Sequence, residues 1–322
     1  MVDLAYILGA SHSGTTLLAM LLGSHPDVCT VGELKATNLG DVDRYVCSCG
    51  RPIRACSFWR QVSEEMARRG FDFDIADAKT DFRGVAGRYA RRLLKPLHRG
   101  AVGEWLRDAA LGASPAWRAT LEAVQRRNAV LAESVAAVTG KRVVVDSSKV
   151  GLRLKYLLRN RDLRVKVLHM VRDGRAVALT YMDPARFADA QDSARRGGGS
   201  CATQHPRLSM AEAAREWRRS NEEALNILGR LRESQFLTVR YEELCQKPGE
   251  TLRGVFAFLG VEESWNVGSF RATEQHVIGN GMRLDSSDEI RLDDRWRSEL
   301  TAESLQEFDR VAGAMSRRLG YS

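Results

Sequence analysis

Five short runs of apolar, often β-branched residues recur along the chain, and each is bounded by glycine or polar residues. Such runs predict buried strands of a parallel sheet. They cover residues 4–9, 28–32, 142–147, 164–172 and 236–241. Helical spacing is found between most of them, including residues 116–140, which end at Gly140, and a C-terminal amphipathic stretch over 300–321. The alternation predicts an α/β fold in which helices flank a doubly wound parallel β-sheet, and the glycine-containing turn after the first run makes this fold P-loop-like.

The longest interval between predicted strands separates the second strand from the third. We expect residues 40–140 to form a largely helical insertion, which acts as a lid or binds the acceptor, within one domain that spans residues 1–322. A basic run over 83–108 falls inside it. This run is interpreted either as a solvated helix face or as a surface for an anionic partner, including peripheral contact with a membrane.

Polar residues follow the predicted strands where each strand ends. They are Ser11 to Ser13, Glu33, Asp146 to Lys149, Arg172, and Arg240 with Tyr241. In a doubly wound sheet, ligands bind outside the carboxyl ends of the strands. The sequence therefore predicts that these side chains converge on one edge of the sheet.

Composition fits a soluble globular protein with a full-sized core, since 44% of the 322 residues are hydrophobic and 28% are charged. No run of apolar residues approaches the length of a transmembrane helix. The N-terminal apolar stretch has no basic region before it and is interpreted as the first strand rather than as a leader. We therefore expect a cytoplasmic protein.

The formal net charge of +8 indicates anionic ligands. The chain has no zinc-finger spacing, no aromatic RNA-binding motif and no lysine tail, which argues against nucleic acid. A small anionic ligand is the interpretation that we prefer.

The first strand runs into a glycine loop, "YILGASHSGTTLL", over residues 6–18. Gly9, Gly14 and Thr16 match the nucleotide-binding pattern G-x-x-x-x-G-K-[ST], but Thr15 replaces its lysine. A strand–loop–helix junction presents main-chain N–H groups and the positive end of a helix dipole to an anion. Without the lysine that bridges terminal phosphates, the loop is suited to a single phosphate-like group, with no need for magnesium.

Residues 9–33, "GASHSGTTLLAMLLGSHPDVCTVGE", resemble the 5′-phosphosulfate loop of PAPS-dependent sulfotransferases, in particular the bacterial branch that is similar to tyrosylprotein sulfotransferases. PAPS is 3′-phosphoadenosine 5′-phosphosulfate. The resemblance implies a donor-binding loop composed of Ser11, His12, Ser13, Gly14, Thr15 and Thr16. His12 stands where well-known members have arginine, so donor binding is expected to be weaker or more dependent on pH, unless His12 acts on the acceptor.

A second segment, "MVRDGRAVALTYM" at 170–182, resembles the part of the family that binds the 3′-phosphate of the donor. It implies that Arg172 and Thr180 bind this phosphate, since an arginine fork suits a phosphate group. The alternative is a local ion pair between Arg172 and Asp173. Arg283 and Tyr241 are further donor-site candidates, and Tyr241 is equally suited to a structural role.

The family resemblance also implies a mechanism. An acceptor oxygen attacks sulfur in line, and the bisphosphate PAP leaves. Glu33, in "VGEL", is the expected catalytic base, with His12 or His25 as alternatives, and Lys149 is expected to stabilise the departing oxygen. No metal is implied. The expected acceptor is a hydroxyl group of a carbohydrate, a lipid-linked group or a small molecule, with tyrosine as a further option.

Two other classes of function remain open at this point. A P-loop kinase or NTPase would need a phosphate-bridging lysine and a magnesium ligand, for which Asp146 is a candidate. A non-catalytic module of the same fold would bind an anionic ligand without performing chemistry on it.

Three of the six cysteines lie close together, at Cys47, Cys49 and Cys56. Reduced thiols are normal in a cytosolic protein. A C-x-C pair with one further cysteine lacks the fourth ligand of a zinc site and does not have a usual zinc spacing. We therefore expect a structural turn of buried thiols that are occasionally oxidised.

Overall fold

The computed structural model describes residues 1–35, 39, 41–95, 100–188, 190, 207–263 and 268–322. Its centre is a sheet of five parallel strands in the order β2-β3-β1-β4-β5. The strands are β1 (Val2–Gly9), β2 (Val28–Thr30), β3 (Val143–Lys149), β4 (Leu163–Val171) and β5 (Phe236–Arg240). The α/β fold class is thereby confirmed.

Helices connect the strands and cover both faces of the sheet. They are α1 (Thr15–Gly23), α2 (Ser57–Arg68), α3 (Arg88–Leu93), α4 (Gly100–Gly112), α5 (Pro115–Thr139), α6 (Gly151–Leu157), α7 (Gly174–Met182), α8 (Pro184–Phe187), α9 (Met210–Leu228), α10 (Tyr241–Gln246), α11 (Pro248–Leu259), α12 (Trp296–Glu299) and α13 (Ala302–Arg318). The expected helices at 116–140 and 300–321 correspond to α5 and α13. Gly140 follows α5 with a φ of 67°, a left-handed conformation that favours glycine.

The domain has three layers, with helices on both faces of the sheet, because neighbouring residues of each strand point to opposite faces. Leu4, Tyr6 and Leu8 of β1 pack with α2, α5, α6 and α9. Ala5 and Ile7 pack with α1 and α11 on the other face. Both faces of β1 are therefore buried, which explains its nearly continuous apolar sequence.

The second strand is shorter than expected and ends at Thr30 rather than at residue 32. Gly32 has a φ of 78° and forms an isolated parallel bridge with Ile278. A Cβ atom on residue 32 would lie 1.9 Å from the carbonyl oxygen of Ile278, so the close approach requires glycine. Glu33 therefore lies beyond the strand, and its N–H donates to that same oxygen at 3.2 Å.

Helices α2 to α5 occupy the interval between β2 and β3. Trp59 and Val62 of α2 and Val135 of α5 belong to the same apolar core as β1. The helices thus form a layer of the main core. The division into one domain with an insertion over 40–140 stays a prediction.

Within the described part of the chain, no helix combines the length and the apolar character needed to cross a membrane.

Candidate active site

The glycine loop forms the junction between β1 and α1. Gly14 precedes α1 with a φ of 83°, and a Cβ atom there would lie 2.4 Å from Cδ2 of Tyr241. Thr15 and Thr16 are the first two residues of α1. Among the described residues, no side chain caps this helix, and no acidic residue lies in its first turn. The first N–H groups and the positive end of the helix dipole are consequently available to an anion.

Ser13 is the most buried hydroxyl of this loop. It is 1% exposed, and its Oγ atom has no hydrogen-bond partner among the described residues. A buried polar atom without a partner is energetically unfavourable, so such an atom beside a helix N-terminus indicates a ligand that supplies the missing contact.

Arg172 follows β4 and lies against the loop. Its Nη1 atom donates to the carbonyl oxygen of His12 at 2.8 Å, and its guanidinium lies 4.2 Å from the centre of the Tyr241 ring. The side chain is fully buried. The structure therefore brings together the loop, Arg172 and Tyr241, as expected for residues that follow the carboxyl ends of parallel strands.

Asp293 is a site residue that the sequence did not reveal. It accepts hydrogen bonds from Nη2 of Arg172 at 2.8 Å and from Nε of Arg295 at 2.7 Å. Burial raises the pKa of this carboxyl, but the two guanidinium groups outweigh it and lower the pKa to about 2. Its partner Arg172 is 121 positions away, so no local pattern indicates the pair.

The alternative pairing of Arg172 with Asp173 is not what the structure shows. Asp173 instead caps α7 and pairs with Arg175 at 2.7 Å. Arg172 is left to contact the loop and Asp293.

Glu33 and Lys149 meet beside the loop. Nζ of Lys149 lies 2.5 Å from Oε1 of Glu33, and the two side chains are 18% and 26% exposed respectively. Lys149 is the last residue of β3, and Glu33 directly follows the residue that bridges to Ile278, Gly32. The pair places a proton-accepting carboxylate next to an ammonium group, which suits proton removal from a hydroxyl and charge stabilisation on a departing oxygen.

Backbone strain is concentrated at this site. Among the described residues other than glycine, positive φ values occur at His12 (62°), Lys79 (52°) and Lys149 (67°), and two of these three are site candidates. The His12 ring also lies edge-on to Tyr181 at 5.1 Å. Tyr181 of α7 therefore supports the loop through this ring contact, a role that sequence analysis missed.

A buried polar network positions the segment after Glu33. The Asp146 carboxylate accepts from Nε of Arg153 at 2.9 Å and from the N–H of Leu34 at 3.3 Å. The Ser148 hydroxyl accepts from the N–H of Lys35 at 2.9 Å. Asp146 is fully buried and engaged with arginine, so it is unsuited to the role of magnesium ligand that the kinase alternative requires.

A cavity of about 310 Å³ opens against Ser11 and Lys149. Its walls come from α4, α6 and α9 and from the segment around residues 81–95, and they carry many charged groups of both signs. These groups are Lys35, Asp81, Arg83, Lys95, Glu104, Arg107, Lys149, Arg153, Glu216, Arg219, Glu222 and Glu223. Burial raises the pKa of Glu223.

A second cavity, also of about 310 Å³, adjoins the other end of the loop, at Gly14. It is lined by Gly14, Tyr241, Arg271, Asp293 and Arg295, among others. The glycine loop therefore lies between a cavity with the Lys149 side chain in its wall and a cavity with a guanidinium–carboxylate cluster in its wall. This arrangement can hold two different ligands against one anion site.

Two candidates from the sequence make their contacts elsewhere. The buried Thr180 hydroxyl donates to the main chain of its own helix, at Ala176, with a distance of 3.2 Å. Arg283 donates to the carbonyl oxygens of Asn280 at 3.0 Å and Val46 at 2.8 Å. Their assignment to donor binding stays a prediction, as do the roles of the other site residues.

Comparison with known proteins adds a family relationship. Residues 5–266 match the protein-family model described as "Sulfotransferase family". Carbohydrate sulfotransferase 5 of Mus musculus is 28% identical over 172 residues, a match that covers 51% of this chain and only 44% of that relative.

Two solved structures are similar over nearly the whole chain. The sulfotransferase domain from the Synechococcus PCC 7002 olefin synthase has 19% identity and a TM-score of 0.47, covering 96% of this chain and 94% of that one. Sulfotransferase STF9 from Mycobacterium avium has 15% identity and a TM-score of 0.47, covering 99% of this chain and 77% of that one.

Proposed function

Since the chain belongs to the sulfotransferase family, we propose that it transfers the sulfuryl group of PAPS to a hydroxyl group of an acceptor and releases PAP. One observation carries the proposal. Ser11 of the glycine loop, which lacks the phosphate-bridging lysine, lines the same cavity as Lys149, and Lys149 is paired with Glu33. An anion site, a base and a cation thus meet where an acceptor has room to enter.

The loop residues fit the phosphosulfate end of the donor. Ser13 offers a buried hydroxyl with no partner in the described residues, and the first turn of α1 offers uncapped N–H groups. These are neutral donors that suit a sulfate or phosphate oxygen. PAPS supplies an activated sulfuryl group, and its site requires no cation beyond those of the chain.

Arg172 and Arg295 fit the second phosphate of the donor. Both guanidinium groups already hold one carboxylate, that of Asp293. A phosphate presents the same kind of oxygen acceptors, and arginine forks bind both groups. We infer that Arg172 links the two ends of the donor site, because its other nitrogen holds the loop through His12.

Glu33 performs the proton transfer in this proposal. Its carboxylate takes the proton from the acceptor hydroxyl as the new oxygen–sulfur bond forms and the bond from sulfur to the phosphate oxygen of PAP breaks. Lys149, in contact with Glu33, stabilises the negative charge that develops on that phosphate oxygen. The residues on either side of Glu33 in the chain are held in place, because Gly32 bridges to Ile278 and the N–H of Leu34 donates to Asp146.

A carbohydrate is the acceptor class that we favour. The cavity beside Lys149 has carboxylate and guanidinium groups in its walls, such as Glu104, Arg107 and Glu216, and these groups hydrogen-bond sugar hydroxyls. An acyl chain would cover these charged groups with a surface that offers them no hydrogen bonds. The similarity to a carbohydrate sulfotransferase points in the same direction.

Calorimetric titration with PAP in the absence of metal, compared with ATP and magnesium, tests the donor. We expect PAP to bind and ATP with magnesium not to bind. Transfer of labelled sulfate from PAPS to a panel of oligosaccharides, a tyrosine peptide and a glycolipid then tests the acceptor. Binding of ATP with magnesium but not PAP would support the kinase alternative. PAP binding with transfer only to the peptide would refute the carbohydrate assignment.

A further inference from the structure

The turn that contains the three clustered cysteines is joined by a histidine from a distant part of the chain. Cys47, Cys49, Cys56 and His276 bring one potential ligand atom each to a cluster in which all four atoms lie within 4.8 Å of one another. His276 follows Cys56 by 220 positions. It is the fourth ligand that the cysteine spacing alone does not provide.

We propose that these four residues bind a structural zinc ion. The distances between the ligand atoms support this assignment. The Sγ atom of Cys56 lies 3.8 Å from that of Cys49 and 3.9 Å from that of Cys47. The Nδ1 atom of His276 lies 3.4 Å from the Cys56 sulfur and 3.9 Å from the Cys47 sulfur.

These separations match the edges of a zinc tetrahedron. With Zn–S bonds of about 2.3 Å and a Zn–N bond of about 2.0–2.1 Å, tetrahedral geometry places sulfurs about 3.8 Å apart and sulfur and nitrogen about 3.6 Å apart. A disulfide would instead bring two sulfurs to about 2.05 Å. All three cysteines are free thiols in the structure. Three sulfurs and one imidazole nitrogen in a tetrahedron are a ligand set that favours zinc.

The surroundings of the cluster also resemble those of a metal site. The outer nitrogen of His276, Nε2, lies 3.5 Å from a carboxylate oxygen of Glu274, and a carboxylate in this position orients a metal-bound imidazole. The His276 ring is stacked on Phe58 at 4.4 Å with an interplanar angle of 2°. Cys47 and Cys56 are almost fully buried, which shields the site from solvent.

Main-chain hydrogen bonds fold the cysteine turn tightly. The N–H of Cys47 donates to the carbonyl oxygen of Arg51, and the N–H of Gly50 donates to that of Cys47, each at 2.9 Å. Gly50, with a φ of 81°, allows the chain to turn tightly between the first two cysteines and the rest of the loop. The tight main-chain turn therefore helps to bring the cysteine sulfurs close together.

The zinc ion would connect two segments that also meet at Glu33. Ser48 accepts from the N–H of Val277 at 2.7 Å, and Tyr45 accepts from the N–H of Gly279 at 2.8 Å. Between them, Ile278 forms the bridge to Gly32 that precedes Glu33. The metal would thus anchor the strand-like segment 275–279, which positions Glu33, without contacting the reacting groups.

Elemental analysis of the purified full-length chain tests the proposal directly. After expression in zinc-supplemented medium, we expect about one zinc ion per chain, and X-ray absorption should show a shell of three sulfurs and one nitrogen. A folded chain that contains no zinc would overturn the proposal, and so would a shell of oxygen and nitrogen only, bound iron instead of zinc, or a disulfide among the three cysteines.

Matched variants locate the metal. Cys49→Ser and His276→Ala should lose nearly all of the zinc, whereas Cys245→Ser, which changes a buried cysteine outside the cluster, should retain it. His276→Cys should restore zinc binding with four sulfurs. Equal zinc content in Cys49→Ser and Cys245→Ser would overturn the assignment of the ligands. Since Cys49 is only partly buried, its substitution is expected to leave a foldable chain.

Discussion

Arg172→Gln is expected to weaken PAP binding, because it removes the guanidinium that lies between the glycine loop and Asp293. In the structure, this side chain donates to His12 and Asp293 at 2.8 Å each and is fully buried. Losing one hydrogen bond to a charged phosphate costs about 1.5–3 kcal/mol, which corresponds to a Kd for PAP that is roughly 10- to 150-fold higher.

Isothermal calorimetry with PAP measures this change without any knowledge of the acceptor. The substitution leaves Asp293 with a partner, since Arg295 still donates to it from Nε and Nη2 at 2.7 and 2.9 Å. We therefore expect the variant to fold, which thermal unfolding would verify. Glutamine keeps a hydrogen-bond donor near His12, so the loss should mainly reflect the missing charge.

Arg175→Gln is the matched control. Arg175 lies three positions further along, pairs with Asp173 and stacks on Trp296 at 4.0 Å. Its loss should leave PAP affinity within about twofold of the wild type, a change of less than half a kcal/mol. The reasoning is refuted if Arg172→Gln folds and binds PAP as tightly as the wild type, or if both variants lose affinity equally.

Three further predictions concern the catalytic base, the glycine loop and the loss of folding stability at low pH. Glu33→Gln should keep PAP affinity but reduce sulfate transfer from PAPS by about 10²- to 10⁴-fold, the usual contribution of a general base; full turnover would assign the base to another residue. Gly14→Ala should destabilise the protein more than Gly70→Ala in urea unfolding, because residue 14 has both a φ of +83° and a Cβ clash, whereas residue 70 has a φ of +81° and open space. The clash should add about 1–3 kcal/mol, and equal losses would contradict the close approach. Asp293 has a pKa of about 2 against an ordinary 3.8, so its ionised form stabilises the fold above about pH 4 and this stabilisation is lost as the pH falls towards 2. The wild type should therefore lose about 2 kcal/mol more than Asp293→Asn over that interval, as measured by denaturant unfolding at each pH, and parallel curves would disprove the ion pairs of Asp293.

The sequence predicted the elements that depend on local pattern. Apolar runs located all five strands to within about two residues at most ends, and the glycine spacing identified the junction at Gly14. The convergence of Ser11, Lys149 and Arg172 was also predictable, because parallel strands all end at the same edge of a sheet. These features depend on residues that are near one another in the chain or on a general property of the fold.

The tertiary structure alone decided which distant residues meet. The order of the strands, the bridge from Gly32 to Ile278, the pairing of Arg172 with Asp293 and the addition of His276 to the cysteines have no local signature. The last three of these contacts join segments separated by more than a hundred positions and depend on how the C-terminal part packs against the rest of the domain. A periodic pattern reports which face of an element is buried, but it contains no information on which other element covers that face. The partners of Arg172 and the fourth ligand of the cysteine cluster were therefore unpredictable from the residues around them.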